Sequence, residues 1–339
     1  MSMPGSRLFI GVDAGGTRTR AVCVSEEGVI LGAGVAGPAN HASGELAAAR
    51  ASIGEAIARA AASYVEGGVV PVAATFIGSA GLEHVGDEAE GRRLLDDRIA
   101  SREVFLDTDA YVAWAGAFRC RPGIVIIAGT GSMCLGIDAG GMRAKVGGWG
   151  WRVGDEGSAY GIAVDAVRAA LQTVDGRLDA WRLWEAVEGF VDGASSDGAV
   201  GALAVRSWLY DPRRSPADIA AFAPFVERAA TSGCTVAAAI LRRAGTELAK
   251  MAAAVAATLA PSPPLPIATL GGVMEGNAFV RSAFEEAIAD VPGIAGIVVP
   301  AYEPHIGAAL LAMRAHRGAV GAEVFARLDA WNERLVRGR

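Results

Sequence analysis

Residues 8–25 read LFIGVDAGGTRTRAVCVS, and this stretch decides the fold. The runs at 8–12 and 21–25 are short and apolar, so each predicts a β-strand. Between them the loop DAGGT, at 13–17, places glycines where backbone N–H groups can approach an anion. Asp13, at the end of the first strand, could hold Mg²⁺ through water. Taken alone, the loop could instead be an ordinary hairpin turn.

A similar layout returns at residues 124–137, IVIIAGTGSMCLGI. An apolar strand is again followed by glycine and hydroxyl residues, GTGS at 129–132. Two such loops, each directly after an apolar strand, are difficult to explain as turns alone and favour phosphate binding. Neither is a Walker A loop, because both lack the glycine-lysine pair of that pattern. The repeated layout also predicts two lobes of related topology.

Composition and length exclude several classes of protein. The chain has 339 residues, 52% hydrophobic and 20% charged, so it is too long for one small core and too apolar to be disordered. Its net charge of −6 argues against a nucleic-acid partner. No apolar run is long enough for a signal sequence or a membrane span. Its four cysteines lack the spacing of a zinc or iron–sulfur site, and free thiols without an export signal lead us to expect a cytoplasmic protein.

Asp109 is the candidate for acid–base chemistry. It ends the sequence DTD at 107–109, directly after a strand predicted at 104–106. Phosphoryl transfer needs a carboxylate that takes the proton of the acceptor hydroxyl, and Asp109 could serve in that role. Alternatively, Asp109 could cap the helix predicted at 110–118.

Two further segments carry candidate binding residues. The sequence GGWGW at 147–151 precedes GDEGSA at 154–159, and this combination of glycine, indole and carboxylate is typical of sugar sites. The alternative is a loop that packs its tryptophans into the core while Asp155 caps the next helix. The paired glycines at 271–272 follow a strand predicted at 267–270 and could admit adenine or ribose, or form a tight turn.

Apolar periodicity predicts helices at 44–62, 88–99, 110–118, 157–171, 181–191, 215–231, 235–259, 279–289, 306–315 and 322–336. The longest of them, at 235–259, stops at the proline-rich sequence PSPP. The chain has no low-complexity linker, so a lobe boundary must fall inside the fold.

In this order the motifs resemble the BadF/BadG/BcrA/BcrD ATPase family, and within it the N-acetylglucosamine kinases. The resemblance rests on the two glycine loops, on TDA at 108–110, GWG at 148–150, GDEGS at 154–158, the glycines at 271–272 and EPHIGAA at 303–309. It implies an α/β, actin-like ATPase fold of two ribonuclease H-like lobes, with ATP and sugar in the cleft between them. The first lobe would span residues 1–119, joined by a C-terminal helix at 317–339, and the second lobe would span 120–316.

The resemblance also implies a role for each matching residue. Asp109 would deprotonate the sugar 6-hydroxyl, and Asp13 would organise Mg²⁺. The phosphates of ATP would contact Gly15, Gly16, Thr17, Gly129, Thr130, Gly131 and Ser132. The adenosine would contact Gly271 and Gly272. The sugar would contact Asn40, His41, Asp109, Gly148, Trp149 and Asp155.

The function implied is an ATP-dependent kinase of an amino sugar, with ATP and Mg²⁺ as cofactors and a homodimer as the expected assembly. The small residues and indole of the segment 147–151 favour N-acetylglucosamine, whose methyl group they suit, over glucosamine, which remains the alternative. Two hypotheses of other classes also remain. One is an ATPase that activates a partner redox enzyme, although the cluster-binding cysteines of such activators are missing. The other is a non-catalytic sugar sensor, although a sensor needs no catalytic base.

Overall fold

The computed structural model describes residues 7–39, 46–64, 70–82, 85–97, 99–194 and 201–337. The chain forms two compact units. Unit 1 comprises Met1–Arg121 and Val299–Arg339, and unit 2 comprises Pro122–Val298.

The strands, in chain order, are β1 (Leu8–Ala14), β2 (Thr19–Ser25), β3 (Ile30–Ala36), β4 (Val70–Ser79), β5 (Ile99–Thr108), β6 (Gly123–Ala128), β7 (Ser132–Ile137), β8 (Arg143–Gly147), β9 (Leu265–Leu270) and β10 (Ile294–Val298). The helices are α1 (Leu46–Ala60), α2 (Glu88–Leu94), α3 (Asp109–Phe118), α4 (Ala159–Val174), α5 (Trp181–Ala194), α6 (Ala202–Leu209), α7 (Pro216–Ala220), α8 (Ala223–Thr231), α9 (Thr235–Leu259), α10 (Gly272–Gly276), α11 (Ala278–Ile288), α12 (Pro304–Arg317) and α13 (Ala322–Arg337). A short 3₁₀ helix spans Ala62–Tyr64.

Unit 1 is built on a mixed sheet with the strand order β3-β2-β1-β4-β5. Helices pack on both faces of this sheet, which is why β1 and β2 are almost continuously buried. Gly11 pairs with Val22, whereas Gly34 pairs with Ala21, so the two glycines face opposite sides of the sheet. A Cβ on Gly11 would lie 2.3 Å from backbone atoms of α12, and one on Gly34 would lie 2.0 Å from the carbonyl oxygen of Ala56 in α1. Both helices therefore pack directly against the backbone of the sheet.

Unit 2 contains a second mixed sheet with the strand order β10-β9-β6-β7-β8. The long helix α9 packs along β6, β7 and β8. The core of this unit is formed by residues such as Ile124, Ile126 and Ile267, none of which has exposed surface. Both units thus begin with a buried strand, a glycine loop and an antiparallel partner strand, as the repeated layout in the sequence predicts.

The second unit boundary lies earlier in the chain than the sequence predicts. The sequence placed residues up to 316 in the second lobe, whereas the segment Val299–Arg339 belongs to unit 1. The reason is the packing of α12, which lies against β1 and α3. The first boundary, between Arg121 and Pro122, lies two residues from the predicted one.

Two predicted helices are also shorter than expected. The helix predicted at 88–99 ends at Leu94, because the chain enters β5 at Ile99, which pairs with Val70 of β4. The helix predicted at 215–231 is divided into α7 and α8. By contrast, α9 has the predicted bounds 235–259.

The cysteines are free thiols, and Cys23, Cys134 and Cys234 are buried. Burial raises the pKa of the Cys23 thiol to about 12 and that of the half-buried Cys120 to about 11. Both thiols therefore remain protonated at neutral pH. In the described ranges, no helix combines the length and the apolar character that crossing a bilayer requires.

Candidate functional site

The carboxyl edge of the unit 1 sheet brings together the acidic residues that the sequence singled out. Asp13 of β1 pairs with Gly78 of β4, and Gly78 pairs with Asp107 of β5. The three parallel strands therefore end side by side, and α3 starts from this edge at Asp109. Asp109 and Asp13 lie close enough for the charge of one to act on the other.

Asp109 is not the residue that caps α3. The N-cap is Thr108, whose hydroxyl accepts a hydrogen bond from the N–H of Tyr111 at 3.3 Å. The half-buried Asp109 carboxylate instead accepts from the N–H of Ala110 at 2.8 Å. Asp107 differs, since it is buried and accepts from the N–H of Thr108 at 2.7 Å. Of the two carboxylates, Asp109 is the more accessible to a substrate.

The electrostatic environment of Asp13 suits a bound cation. Burial, together with the negative charge of Asp109, raises the pKa of Asp13 to about 7, although the positive charges of Arg20 and Arg18 oppose the rise. A cation beside these two carboxylates would favour their ionised forms. Among the described residues there is no group of three or more His, Cys, Asp or Glu side chains that could hold a metal ion. Mg²⁺ commonly uses one or two carboxylates together with water and phosphate oxygens, and Asp13 fits that pattern.

The first glycine loop follows Asp13 and is open to solvent. The N–H of Gly15 donates to the carbonyl of Arg18 at 3.1 Å, which closes the turn. Gly16, Thr17 and Arg18 are exposed. Arg18 is not among the residues predicted from the sequence, although an arginine beside a glycine loop is a signal for phosphate. Asn40 and His41, which are predicted sugar contacts of this unit together with Asp109, lie outside the described residues.

An ion pair at this edge joins distant parts of the chain. Nη1 of Arg20, the strand partner of Asp13, lies 2.8 Å from Oε2 of Glu303, the residue that precedes α12. His305, in the first turn of α12, is buried, with Nδ1 at 3.5 Å from the same carboxylate oxygen. Burial, together with the charge of Arg20, lowers the pKa of His305 to about 4, although the charge of Glu303 opposes the shift. His305 is therefore neutral at physiological pH.

In unit 2 the second glycine loop is held by Asp155. Oδ1 of Asp155 accepts a hydrogen bond from the N–H of Ser132 at 3.1 Å. Gly131 permits this approach, because a Cβ there would lie 2.8 Å from that oxygen. Asp155 has a φ of 64°, a left-handed conformation that aspartate tolerates better than most residues. Burial raises its pKa, the Ser132 N–H opposes the rise, and the charge of Glu156 adds to it.

Two predicted site residues of unit 2 therefore contact each other. The sequence predicts Ser132 at phosphate and Asp155 at sugar. The hydroxyl of Ser132 donates to the carbonyl of Glu156 at 2.7 Å. Asp155 does not cap α4, since the N-cap is Ser158. The first N–H groups of α4 donate instead to the carbonyls of Gly129 and Thr130, so the loop is fixed from both sides.

The paired glycines lie beside the second loop. Because β9 is parallel to β6, both strands end at one edge of the unit 2 sheet. Gly271 has a φ of 97°, and a Cβ there would lie 2.5 Å from the carbonyl oxygen of Ala128 and 3.1 Å from the nitrogen of Gly129. Gly272 opens α10 with no atom near its missing side chain. The predicted adenosine and phosphate residues of unit 2 are thus neighbours.

The predicted sugar block presents a tryptophan to solvent. Trp149 is 79% exposed, between Gly148 and Gly150, which both have positive φ angles. The N–H of Gly148 donates to the carbonyl of Ser132 at 3.0 Å, which links this block to the second loop. The alternative interpretation of this block required its tryptophans to pack into the core. Trp149 does not do so.

Comparisons with known proteins agree with the sequence resemblance. The sequence model of the BadF/BadG/BcrA/BcrD ATPase family matches residues 10–312. The chain is 28% identical to the N-acetylmuramic acid/N-acetylglucosamine kinase of Clostridium acetobutylicum, over 83% of this chain and 90% of that protein. It is 31% identical to a glucosamine kinase of Vibrio cholerae, over 50% of this chain and 56% of that protein.

A solved structure also matches. The crystal structure of a candidate N-acetylglucosamine kinase from Chromobacterium violaceum has a TM-score of 0.71 and 27% identity, and the match covers 91% of this chain and 100% of that one. Solved sugar kinases thus share this fold. The predicted family resemblance and the predicted α/β fold of the actin-like, sugar-kinase type are both confirmed.

Proposed function

The chain belongs to the BadF/BadG/BcrA/BcrD ATPase family, and on that premise we propose that it is an ATP-dependent kinase that phosphorylates the 6-hydroxyl of an amino sugar. The observation that carries the proposal is the meeting of Asp13 and Asp109 beside the first glycine loop, at the carboxyl edge of the unit 1 sheet. This arrangement provides a carboxylate for the acceptor proton next to donors for phosphate. The named kinases among its relatives support the same reaction.

Asp109 acts as the general base. Its carboxylate accepts the proton of the sugar 6-hydroxyl as that oxygen forms a bond to the γ-phosphorus and the bond to the departing ADP oxygen breaks. The products are ADP, the sugar 6-phosphate and the proton held on Asp109. Because Thr108 caps α3, the Asp109 carboxylate is not needed for helix capping.

The remaining predicted residues bind the nucleotide and the sugar. The loops at 13–17 and 129–132 bind the phosphates, with Arg18 as an additional cation. The N–H groups of Gly15 and Ser132 donate within the protein and fix the shape of these loops. Bound Mg²⁺ would neutralise phosphate charge, and Asp13 would hold it through water. Gly271 and Gly272 leave room for the adenosine. We expect the active protein to be a homodimer.

The sugar is an amino sugar, and we favour N-acetylglucosamine over glucosamine. The exposed indole of Trp149 offers an apolar surface for the N-acetyl methyl group, whereas a bare ammonium would require a carboxylate partner. A coupled ADP-release assay should compare N-acetylglucosamine, glucosamine, N-acetylmannosamine, N-acetylmuramic acid and glucose. We expect sugar-dependent ADP release, with the highest kcat/KM for N-acetylglucosamine.

The same assay separates the alternatives. ADP release without sugar would favour an activating ATPase, and sugar binding without ADP release would favour a sensor. Trp149→Ala should lower kcat/KM for N-acetylglucosamine more than for glucosamine. Trp181→Ala is the matched control, because Trp181 is also exposed but lies on α5. A preference for glucosamine that Trp149→Ala leaves unchanged would contradict the choice of sugar and not the kinase reaction.

A further inference from the structure

The chain passes between the units twice. In unit 1, the two segments next to these connections are hydrogen-bonded to each other. The chain leaves unit 1 after Arg121 and returns to it at Val299. Just inside unit 1, the N–H of Ala301 donates to the carbonyl of Ala117 at 3.0 Å, and the N–H of Tyr302 donates to that of Gly116 at 3.1 Å. The end of α3 and the segment before α12 are therefore joined where the chain crosses.

A single carboxylate of the C-terminal helix holds both segments. Oδ1 of Asp329, on α13, accepts from the hydroxyl of Tyr302 at 2.7 Å and from Nη2 of Arg119 at 2.6 Å. The guanidinium of Arg119 lies 5.2 Å from the centroid of the Tyr302 ring, which is 3% exposed. Asn332, also on α13, donates to the carbonyl of Ala301 at 3.1 Å. Burial and the bond to Asp329 both raise the pKa of Tyr302, so its hydroxyl remains a donor.

The backbone is strained at the same position. Arg119 and Cys120 are consecutive non-glycine residues with φ angles of 56° and 58°. Such left-handed conformations persist only where the surrounding structure fixes them, and they are typical of switch and ligand-binding regions. The Asp329–Arg119 ion pair fixes the first of the two residues, and Nη1 of Arg314 contacts the carbonyl of the second at 3.4 Å.

We propose that Asp329 is a positioning residue that fixes the direction in which both connections leave unit 1 and, through α3, the placement of Asp109. The two ends of α3 make this possible, since the helix begins at Asp109 and ends next to Arg119. Asp329 acts through Arg119 and Tyr302 and touches no substrate. The consequence for turnover rests on the proposed kinase function, whereas the consequence for the connections does not.

The test compares two variants of α13 in the full chain. Asp329→Asn keeps an acceptor for Tyr302 but loses the charge that holds Arg119. Arg327→Gln is the matched control, because Arg327 also anchors α13, by donating to the carbonyl of Glu27 at 2.8 Å, but does so at the turn between β2 and β3. Hydrogen exchange is measured at the amides of residues 119–121 and 299–302. We expect Asp329→Asn to accelerate exchange there about fivefold and Arg327→Gln to leave it unchanged.

Kinase assays of the same proteins add a second readout. Asp329→Asn should lower kcat about fivefold with little change in the KM for sugar, and Asp329→Glu should restore part of the loss.

Tyr302→Phe, which keeps the ring beneath Arg119, provides a second variant if Asp329→Asn does not fold, and should also accelerate exchange. Equal exchange at these amides in Asp329→Asn and Arg327→Gln would overturn the proposal and leave Asp329 as an anchor of α13 only. An inactive wild-type protein would contradict the proposed function but not the exchange result.

Discussion

Asp107 and Asp109 are separated by one residue, yet the fold gives their carboxylates different surroundings. Each carboxylate accepts from the N–H of the residue that follows it, but Asp107 is buried at the end of β5. Asp109 has left the strand and begins α3, half-buried and within the electrostatic reach of Asp13. The carboxylate of Asp107 is therefore suited to support the structure, whereas that of Asp109 is suited to exchange protons.

Asp109→Asn should lower kcat by about 10²- to 10⁴-fold, the usual contribution of a positioned base. Sugar and ATP should still bind, because the amide keeps the shape of the carboxylate, and calorimetric titration of each ligand checks this. Asp107→Asn is the control. The assignment is falsified if Asp109→Asn keeps near-normal kcat while Asp107→Asn does not.

His305 predicts a loss of stability in acid. Its pKa falls from 6.5 to about 4 on folding, so between these values the unfolded chain binds a proton that the folded protein excludes. The free energy of unfolding should therefore decrease as pH falls through this window, by up to about 3 kcal/mol. Urea unfolding of the wild type and of His305→Gln, at several pH values from 7.5 to about 4, measures the effect. Parallel pH profiles for the two proteins would contradict it.

At the scale of elements, α3 and α12 approach each other through glycines. A Cβ on Gly307 would lie 2.1 Å from the carbonyl oxygen of Val112 and 2.3 Å from the nitrogen of Gly116. Helix α3 also packs closely against the sheet, since a Cβ on Gly78 of β4 would lie 2.3 Å from the side chain of Val112. These contacts with backbone and a branched side chain leave α3 little freedom to shift.

Gly307→Ala should therefore destabilise the protein by about 3 kcal/mol, at the upper end for overpacking, because backbone atoms cannot move aside as side chains do. Gly189→Ala is the control, because Gly189 lies inside α5 with open space around it, and it should stabilise by about 0.5–1 kcal/mol. Thermal unfolding of both variants against wild type measures the difference. Equal changes in Tm would show that α3 and α12 can separate without loss.

Helices and strands could be predicted from the sequence where the residues that define them lie within the element or directly beside it. The strand and loop at 8–17 are marked by an apolar run and glycines, and α9 is bounded by a proline-rich stop, so both agree with the structure. The end of α2 could not be predicted, since it depends on the pairing of Ile99 with Val70 across the sheet. Local patterning favours a longer helix there.

The same distinction applies to the candidate site. The order of the motifs identified Asp13, Asp109 and both loops, because each motif is a short segment. The Arg20–Glu303 ion pair joins residues 283 positions apart, and nothing near either residue signals the other. The contact of Asp155 with the N–H of Ser132 was likewise unpredictable, because it depends on how the segment after β8 folds back.

At the scale of the whole molecule, unit 2 is one continuous segment and unit 1 is not. The core of unit 2 is formed entirely by residues between Ile124 and Ile288. A protein comprising residues 122–298 should therefore fold alone and unfold cooperatively in urea. Circular dichroism and the sharpness of the transition check this, and a gradual, non-cooperative loss of signal would contradict it. Residues 1–121, which lack α12, should show no cooperative transition.

The packing of α12 against β1 has a consequence for the order in which the protein is made. One face of β1 cannot be covered until α12 has been synthesised, because that helix belongs to the much later segment Val299–Arg339 and lies against it. Unit 2 can fold in the interval, since domains generally fold as units during synthesis. Every copy cut short before α12 therefore leaves the strand that carries Asp13 uncovered. Synthesis of α12 is thus a condition for β1 to reach its folded state.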